Sequence, residues 1–246
     1  MFPDHFSDRA NAYAASRPTY PPELLDYLLN LSGNVGTVWE PGCGSGQLSI
    51  LLAEAFSVIF ATDASPAQLA HAAASPAITY HCALAEQNAL RNASVDIIVV
   101  AQAAHWFDLP RFYAEARRVA QPGSPLVLLS YGHTHVNTDV DKVVMPFHEF
   151  LLNGYWPPER AHVDAGYRTL HFPFEEAAVP TIEMRTRWNL AGFIGYVETW
   201  SGVRALLNAG GADRFAALKR DVAAAWGPAE RVRTVYWPLA IRATVL

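Results

Sequence analysis

Near the N-terminus, where a β-branched run gives way to a helical pattern, the chain reads Val38-Trp39-Glu40-Pro41-Gly42-Cys43-Gly44-Ser45-Gly46. Glycine at every second position lets the backbone take conformations closed to other residues and lets a ligand lie against bare main chain. In an open α/β sheet such a turn sits beyond the carboxyl end of a strand, where ligands bind. The start of the next helix adds unpaired N–H groups and a partial positive charge suited to a carboxylate or phosphate. A dinucleotide fingerprint would space its glycines G-x-G-x-x-G, whereas Gly42, Gly44 and Gly46 are followed by Gln47, which disfavours an NAD-dependent oxidoreductase. Glu40 would repel a pyrophosphate but can hold a cationic amino group, directly or through water, so the expected ligand is zwitterionic.

The flanking pattern agrees with such a sheet. Short β-branched runs at 35–40, 58–63, 78–82, 95–101 and 126–131 alternate with helical patterns at 47–55, 66–74 and 109–119, the mark of parallel strands covered by helices. The second strand ends at Asp63, 17 residues past Gly46, close to where these folds accept ribose hydroxyls; a carboxylate can take both in charge-assisted hydrogen bonds. Ser65 followed by Pro66 opens the helix behind it, by capping and by fitting the first turn. The fold class expected is α/β, a Rossmann-like seven-stranded, mostly parallel sheet with helices on both faces.

The rest of the chain reads as decoration of one domain. Residues 1–34 form an N-terminal lid, 35–132 the cofactor-binding core, 133–231 acceptor-side insertions and helices, and 232–246 a final antiparallel strand. A chain of 246 residues, 51% hydrophobic and 17% charged, has ample core for this. A net charge of −5 without a basic cluster gives no footprint for nucleic acid. Apolar runs fall short of the roughly 20 residues that span a bilayer, and the start of the chain lacks a signal-peptide pattern. The two cysteines, Cys43 and Cys82, form neither a disulfide framework nor paired metal ligands, which fits the cytoplasm.

Taken together these residues resemble a class I S-adenosylmethionine-dependent methyltransferase of the methyltransferase type 11 kind. Four places carry the likeness over about residues 1–131: the loop Glu40 to Gly46; Asp63 with Ser65, Pro66, Gln68 and Leu69; Ala85-Glu86 after the third strand; and an opening of Phe6, Ala10, Tyr13, Arg17, Pro18, Tyr20 and Pro21. The opening is similar to a subgroup that includes trans-aconitate methyltransferases. The resemblance implies S-adenosylmethionine as cofactor, S-adenosylhomocysteine as product, and a small-molecule acceptor. It places Glu40, Gly42, Gly44, Gly46, Asp63, Ala64, Ala85, Glu86 and Ala101 at the cofactor, Tyr13 and Arg17 over its methionyl end, and Tyr20 toward the acceptor. From the residues themselves the opening is equally a strap packed on the sheet. Leu84 and Ala64 depart from the family, which often has an acid at the first and a large apolar residue at the second, so adenine must be recognised through Glu86 or a backbone carbonyl.

After the fourth strand comes Ala101-Gln102-Ala103-Ala104-His105-Trp106-Phe107-Asp108, similar to the family's A/S-x-x-x-H-W motif beside the sulfonium. His105 is the candidate base should the acceptor have to lose a proton; the alternative is a wall residue bonded to backbone. Trp106 and Trp200 are candidate substrate contacts. His133-Thr134-His135 lacks a third ligand in recognisable spacing, so no metal is expected. Tyr155, Trp156, Trp188 and Trp226 serve as core or pocket wall. Arg168, Arg185, Arg187 and Arg204 are the cations able to hold a carboxylate acceptor. Alternatives are a natural-product or quinone-ring methyltransferase, or a non-catalytic S-adenosylmethionine-binding protein.

Overall fold

The computed structural model describes residues 18–246; Tyr13 and Arg17 lie outside them, with Phe6 and Ala10. The strands are β1 (Thr37–Pro41), β2 (Val58–Asp63), β3 (Ile78–Cys82), β4 (Ile97–Ala101), β5 (Pro125–Tyr131), β6 (Ile182–Trp188) and β7 (Arg233–Val245). They form one sheet in the order β3-β2-β1-β4-β5-β7-β6. β1 to β5 run parallel, β7 pairs antiparallel with β5, and β6 pairs antiparallel with β7. The order reverses between β1 and β4, which opens a crevice at the carboxyl ends of the strands.

Both faces of the sheet are covered, so the central strands are buried at nearly every position rather than at alternate ones. On one face Val38, Ile97, Val99, Val127 and Leu129 meet Leu24, Leu25 and Leu28 of α1 (Pro22–Ser32) and Leu48 and Leu52 of α2 (Gln47–Leu52). On the other, Trp39, Ile98, Val100, Leu126 and Leu128 meet Phe112, Ala116 and Val119 of α4 (Leu109–Val119), while α3 (Pro66–Leu69) follows β2. The helix α4 starts where its sequence says it should, with Asp108 accepting from Arg111 N–H at 3.3 Å and a proline in the first turn.

Several boundaries differ from the sequence expectation, each for a local reason. β1 begins at Thr37 rather than Val35, because the Asp96 carboxylate accepts the Thr37 N–H at 2.7 Å. β4 begins at Ile97, with Val95 kept only as an isolated bridge to Ala120. α2 ends at Leu52, after which Glu54 and Ala55 N–H bond three residues back, at 3.1 Å each, in the tighter turn that closes many helices. α3 stops at Leu69: Ser65 does cap it, accepting from Gln68 N–H at 3.3 Å, but the chain then leaves in i→i+3 turns from His71 and Ala72.

The largest correction is β6, which falls inside the segment read as insertions. Ile182 and Met184 are buried while Arg185 and Arg187 are exposed, the alternation of an edge strand with one face in the core. The second half also carries α5 (Thr138–Pro146), continued by a π-helical turn at Phe147–Leu151, then α6 (Arg160–Asp164), α7 (Leu190–Glu198), α8 (Ser201–Asn208) and α9 (Ala212–Trp226). No helix among the described residues is long and apolar enough to cross a membrane.

Candidate active site

A cavity of about 550 Å³ opens at the strand ends. Its floor is the glycine loop, which is pinned to the end of β2: Gly42 and Cys43 N–H donate to Thr62 O at 2.7 and 3.0 Å, and Gly44 N–H donates to Asp63 Oδ2 at 2.8 Å. The other Asp63 oxygen accepts Ser65 N–H at 2.8 Å. One carboxylate thus holds the loop and the entrance of α3 together. Gly42 is needed for space as well as conformation: at φ +70, a Cβ there would lie 2.5 Å from the Ala103 Cβ. At Gly44, φ +57, only Gln68 Oε1 comes near, at 3.9 Å, so its requirement is the left-handed backbone.

Glu40, Gly42, Gly44, Asp63, Ala64, Ala85, Glu86 and Ala101 all line this cavity, as do Tyr20, His105 and Trp106. Gly46 does not: a Cβ on it would meet the Tyr80 hydroxyl at 2.3 Å, so it serves the packing of α2 against β3 rather than the cavity wall. Glu40 is 1% exposed and accepts from Ser49 Oγ. Burial lifts its carboxyl to about 8, opposed by the Ser49 bond and reinforced by the charge of Asp63. Glu86 gives one oxygen to Asp108 N–H at 2.7 Å, tying the third-strand loop to the start of α4; Leu84 stands 46% exposed beside it. Cys43 packs in the core and Cys82 is exposed.

A smaller pocket of about 50 Å³ adjoins the cavity and shares Gln102, Tyr131, Arg160 and Ser201 with it; Gly132, Trp156, Tyr196, Thr199, Trp200 and Arg204 complete its wall. Of the four arginines singled out from sequence, Arg204 is there. Arg168, Arg185 and Arg187 are exposed, with Arg185 paired to Glu183 at 2.7 Å. The cation that sequence reasoning missed is Arg160. Its Nε donates to Asp164 at 2.8 Å, its Nη2 to His148 Nε2 at 3.1 Å, and its guanidinium lies 4.6 Å from the Trp156 ring centroid. The only sequence signal was an arginine two residues after Pro157-Pro158, where a short helix could begin.

The two histidines at 133 and 135 are separated. His135 pairs with Asp141 at 3.3 Å and stacks on Tyr236. His133 meets His148, ring centroids 4.5 Å apart, and with Asp164 these offer ligand atoms within 4.8 Å of one another. His105 has its Nδ1 2.8 Å from the Tyr167 hydroxyl. Burial holds its imidazole down to about 3, helped by the charges of Arg160 and His162, so the candidate base is neutral with one nitrogen engaged.

A glycine loop clamped to an acid after the second strand, under a cavity at the strand ends, defines an α/β enzyme of the class I methyltransferase type. The methyltransferase domain family matches residues 39–128, from β1 through the middle of β5. A Dictyostelium discoideum protein named as a methyltransferase is 32% identical over 229 residues, 92% of this chain and 87% of its own length. A Mycobacterium tuberculosis protein named as an uncharacterized methyltransferase is 38% identical over 125 residues, 50% of this chain and 51% of its own. A solved structure named as a type II methyltransferase from Anaeromyxobacter dehalogenans matches with a TM-score of 0.88 and 47% identity, over 93% of this chain and 97% of that one. The chain belongs to the S-adenosylmethionine-dependent methyltransferases.

Proposed function

We propose that the enzyme methylates a small molecule bearing a carboxylate, seated between the large cavity and the pocket beside it. The observation that carries this reading is Arg160. Two of its five N–H donors are engaged by Asp164 and His148, which fixes the fork, while the remaining donors take no hydrogen bond among the described residues and the side chain lines the wall common to both spaces. A planar guanidinium held in this way takes a carboxylate in two parallel hydrogen bonds. Arg204 lines the same pocket, and burying an anion without such partners is costly. The choice of substrate agrees with the subgroup that the opening residues resemble.

The cavity residues fit the cofactor. Asp63 presents an acceptor-only carboxylate on the cavity wall, the chemistry that ribose hydroxyls need, Gly42 and Gly44 leave bare main chain, and buried Glu40 supplies a carboxyl for an ammonium. Leu84, Ala85 and Glu86 would border the adenine. S-adenosylmethionine supplies a methyl group on a sulfonium, and no metal is required for its transfer. The protein's part is to hold the acceptor in line, and positioning of this kind can lower a barrier by about 7–11 kcal/mol. A carboxylate that is itself the nucleophile has no proton to lose, so no base is required of the chain. Small-molecule partners, with no nucleic acid or membrane, complete this reading.

The aromatic wall of Trp156, Tyr196 and Trp200 favours a second reading, a natural-product or quinone-ring acceptor. Following S-adenosylhomocysteine formation with matched carboxylic acids and neutral aromatic compounds separates the two. Turnover of acids that falls in Arg160→Met and Arg204→Met supports the first; methylation of neutral rings alone, unaffected by either change, refutes it.

A further inference from the structure

Tyr167 is one of three non-glycine residues at positive φ among the described residues, and the bulkiest of them. It sits at φ +61, a region rarely taken by bulky residues and one that persists only where the surroundings over-determine it. They do so here. Tyr167 N–H donates to His162 O at 2.8 Å, its carbonyl accepts from Arg242 Nη1 at 2.9 Å, and its ring is 1% exposed in the core on one face of the sheet. What this placement achieves is a hydroxyl 2.8 Å from His105 Nδ1.

Between a neutral phenol and a neutral imidazole the phenol O–H is the more acidic donor and the ring nitrogen the more basic acceptor, so the hydroxyl donates to Nδ1 and the imidazole proton is assigned to Nε2. Nε2 makes no hydrogen bond among the described residues, yet it is not among the buried atoms left without a partner, and His105 lines the large cavity. The Nε2–H is therefore open to that space, on a cavity wall that also carries Arg160.

We infer that Tyr167 is a positioning residue that locks His105 as an Nε2–H donor, and that this donor binds an oxygen of the methyl acceptor. His105 then acts in recognition and orientation, not in taking a proton. The inference rests on the reading of this cavity as the site of methyl transfer, and it names the chemistry the acceptor must present: an oxygen able to accept from a neutral N–H as well as from a guanidinium.

The test begins without an acceptor. Long-range proton–nitrogen correlation spectra of the histidine-labelled full chain, loaded with S-adenosylhomocysteine, should show His105 in the Nε2–H form with no titration between pH 5 and 8. Tyr167→Phe should give a mixture of tautomers in a protein that still binds S-adenosylhomocysteine. An Nδ1–H form in the wild type, a His105 that titrates near neutrality, or an unchanged tautomer in Tyr167→Phe overturns the inference. Turnover of the panel of carboxylic acids gives the second arm. His105→Gln, which keeps an N–H donor near the Nε2 position, should stay within about tenfold of wild type, whereas His105→Leu should raise the KM for acids by about 10-fold or more. Equal losses in both variants, or a panel with no substrate although the cofactor product binds, also overturn it. Failure to bind S-adenosylhomocysteine at all would instead strike the reading of the cavity itself.

Discussion

Replacing Asp63 with asparagine changes little in volume and much in hydrogen bonding, because the carboxylate accepts Gly44 N–H and Ser65 N–H at 2.8 Å through different oxygens. Asparagine has one acceptor oxygen, so one of these N–H groups would face an NH₂ donor. A hydrogen bond to a charged group contributes about 1.5–3 kcal/mol, which for a domain of this size lowers Tm by roughly 3–12 °C. The ribose hydroxyls lose the same charge, so S-adenosylhomocysteine should bind more weakly by roughly 10–150-fold. Titration calorimetry well below the transition, with circular dichroism to confirm folding, measures both consequences on one sample. A dissociation constant within about threefold of wild type would refute the assignment of Asp63 to the cofactor. Weakened binding with an unchanged Tm would refute its role as the clamp of the glycine loop.

Two further perturbations probe the floor and the buried acid. Gly42→Ala drives a methyl to 2.5 Å from Ala103 Cβ at φ +70 and should cost about 2–4 kcal/mol, whereas Gly44→Ala meets only backbone strain of about 1–2 kcal/mol; thermal melts that rank them the other way contradict this. Glu40, with its carboxyl raised from 4.5 to about 8, keeps a proton in the native state that the unfolded chain has lost, so the ligand-free protein should lose stability as pH rises from about 4.5 to 8 and level off above. Glu40→Gln should flatten that slope in melting curves, and an equal slope in both proteins would remove the buried acid as its source.

The glycine loop and the acid that clamps it were legible because their requirements are local. A glycine that must adopt φ +70 and an acid that must accept backbone N–H groups from its own loop leave their mark within a few residues, and the alternation of strands places them. Gly46 shows where spacing is ambiguous, since it cannot tell a glycine kept for a ligand from one kept for the Tyr80 hydroxyl. The acceptor side depends on contacts across long sequence distances: Arg160 meets His148, and Tyr167 meets His105 from 62 residues away. No periodicity records such pairs. β6 was hidden differently, since Ile182 and Met184 are its only fully buried side chains, too few to stand out among prolines and aromatics.

The group of His133, His148 and Asp164 shows how the same residues can hold two different cations. Their ligand atoms lie within 4.8 Å of one another, a spacing a divalent transition metal could draw together. Two of the three are already engaged, however, because Arg160 donates to His148 Nε2 and to Asp164. A metal ion there would have to displace a guanidinium that is itself a permanent charge, and would then face it across a few ångströms of protein. The guanidinium is the better occupant, and it leaves donors available for an anion where a metal would not. Arg160→Ala removes the competing charge and frees both ligands, so it should bind Zn²⁺ more tightly than wild type, by an order of magnitude or more, comparable to the shifts of 10–100-fold that outer-shell changes produce. His148→Ala in the same background should abolish the gain. If the wild-type protein bound one equivalent of zinc at least as tightly, with loss of binding in His148→Ala, the arginine would not be the resident cation and the carboxylate reading of the pocket would lose its main support.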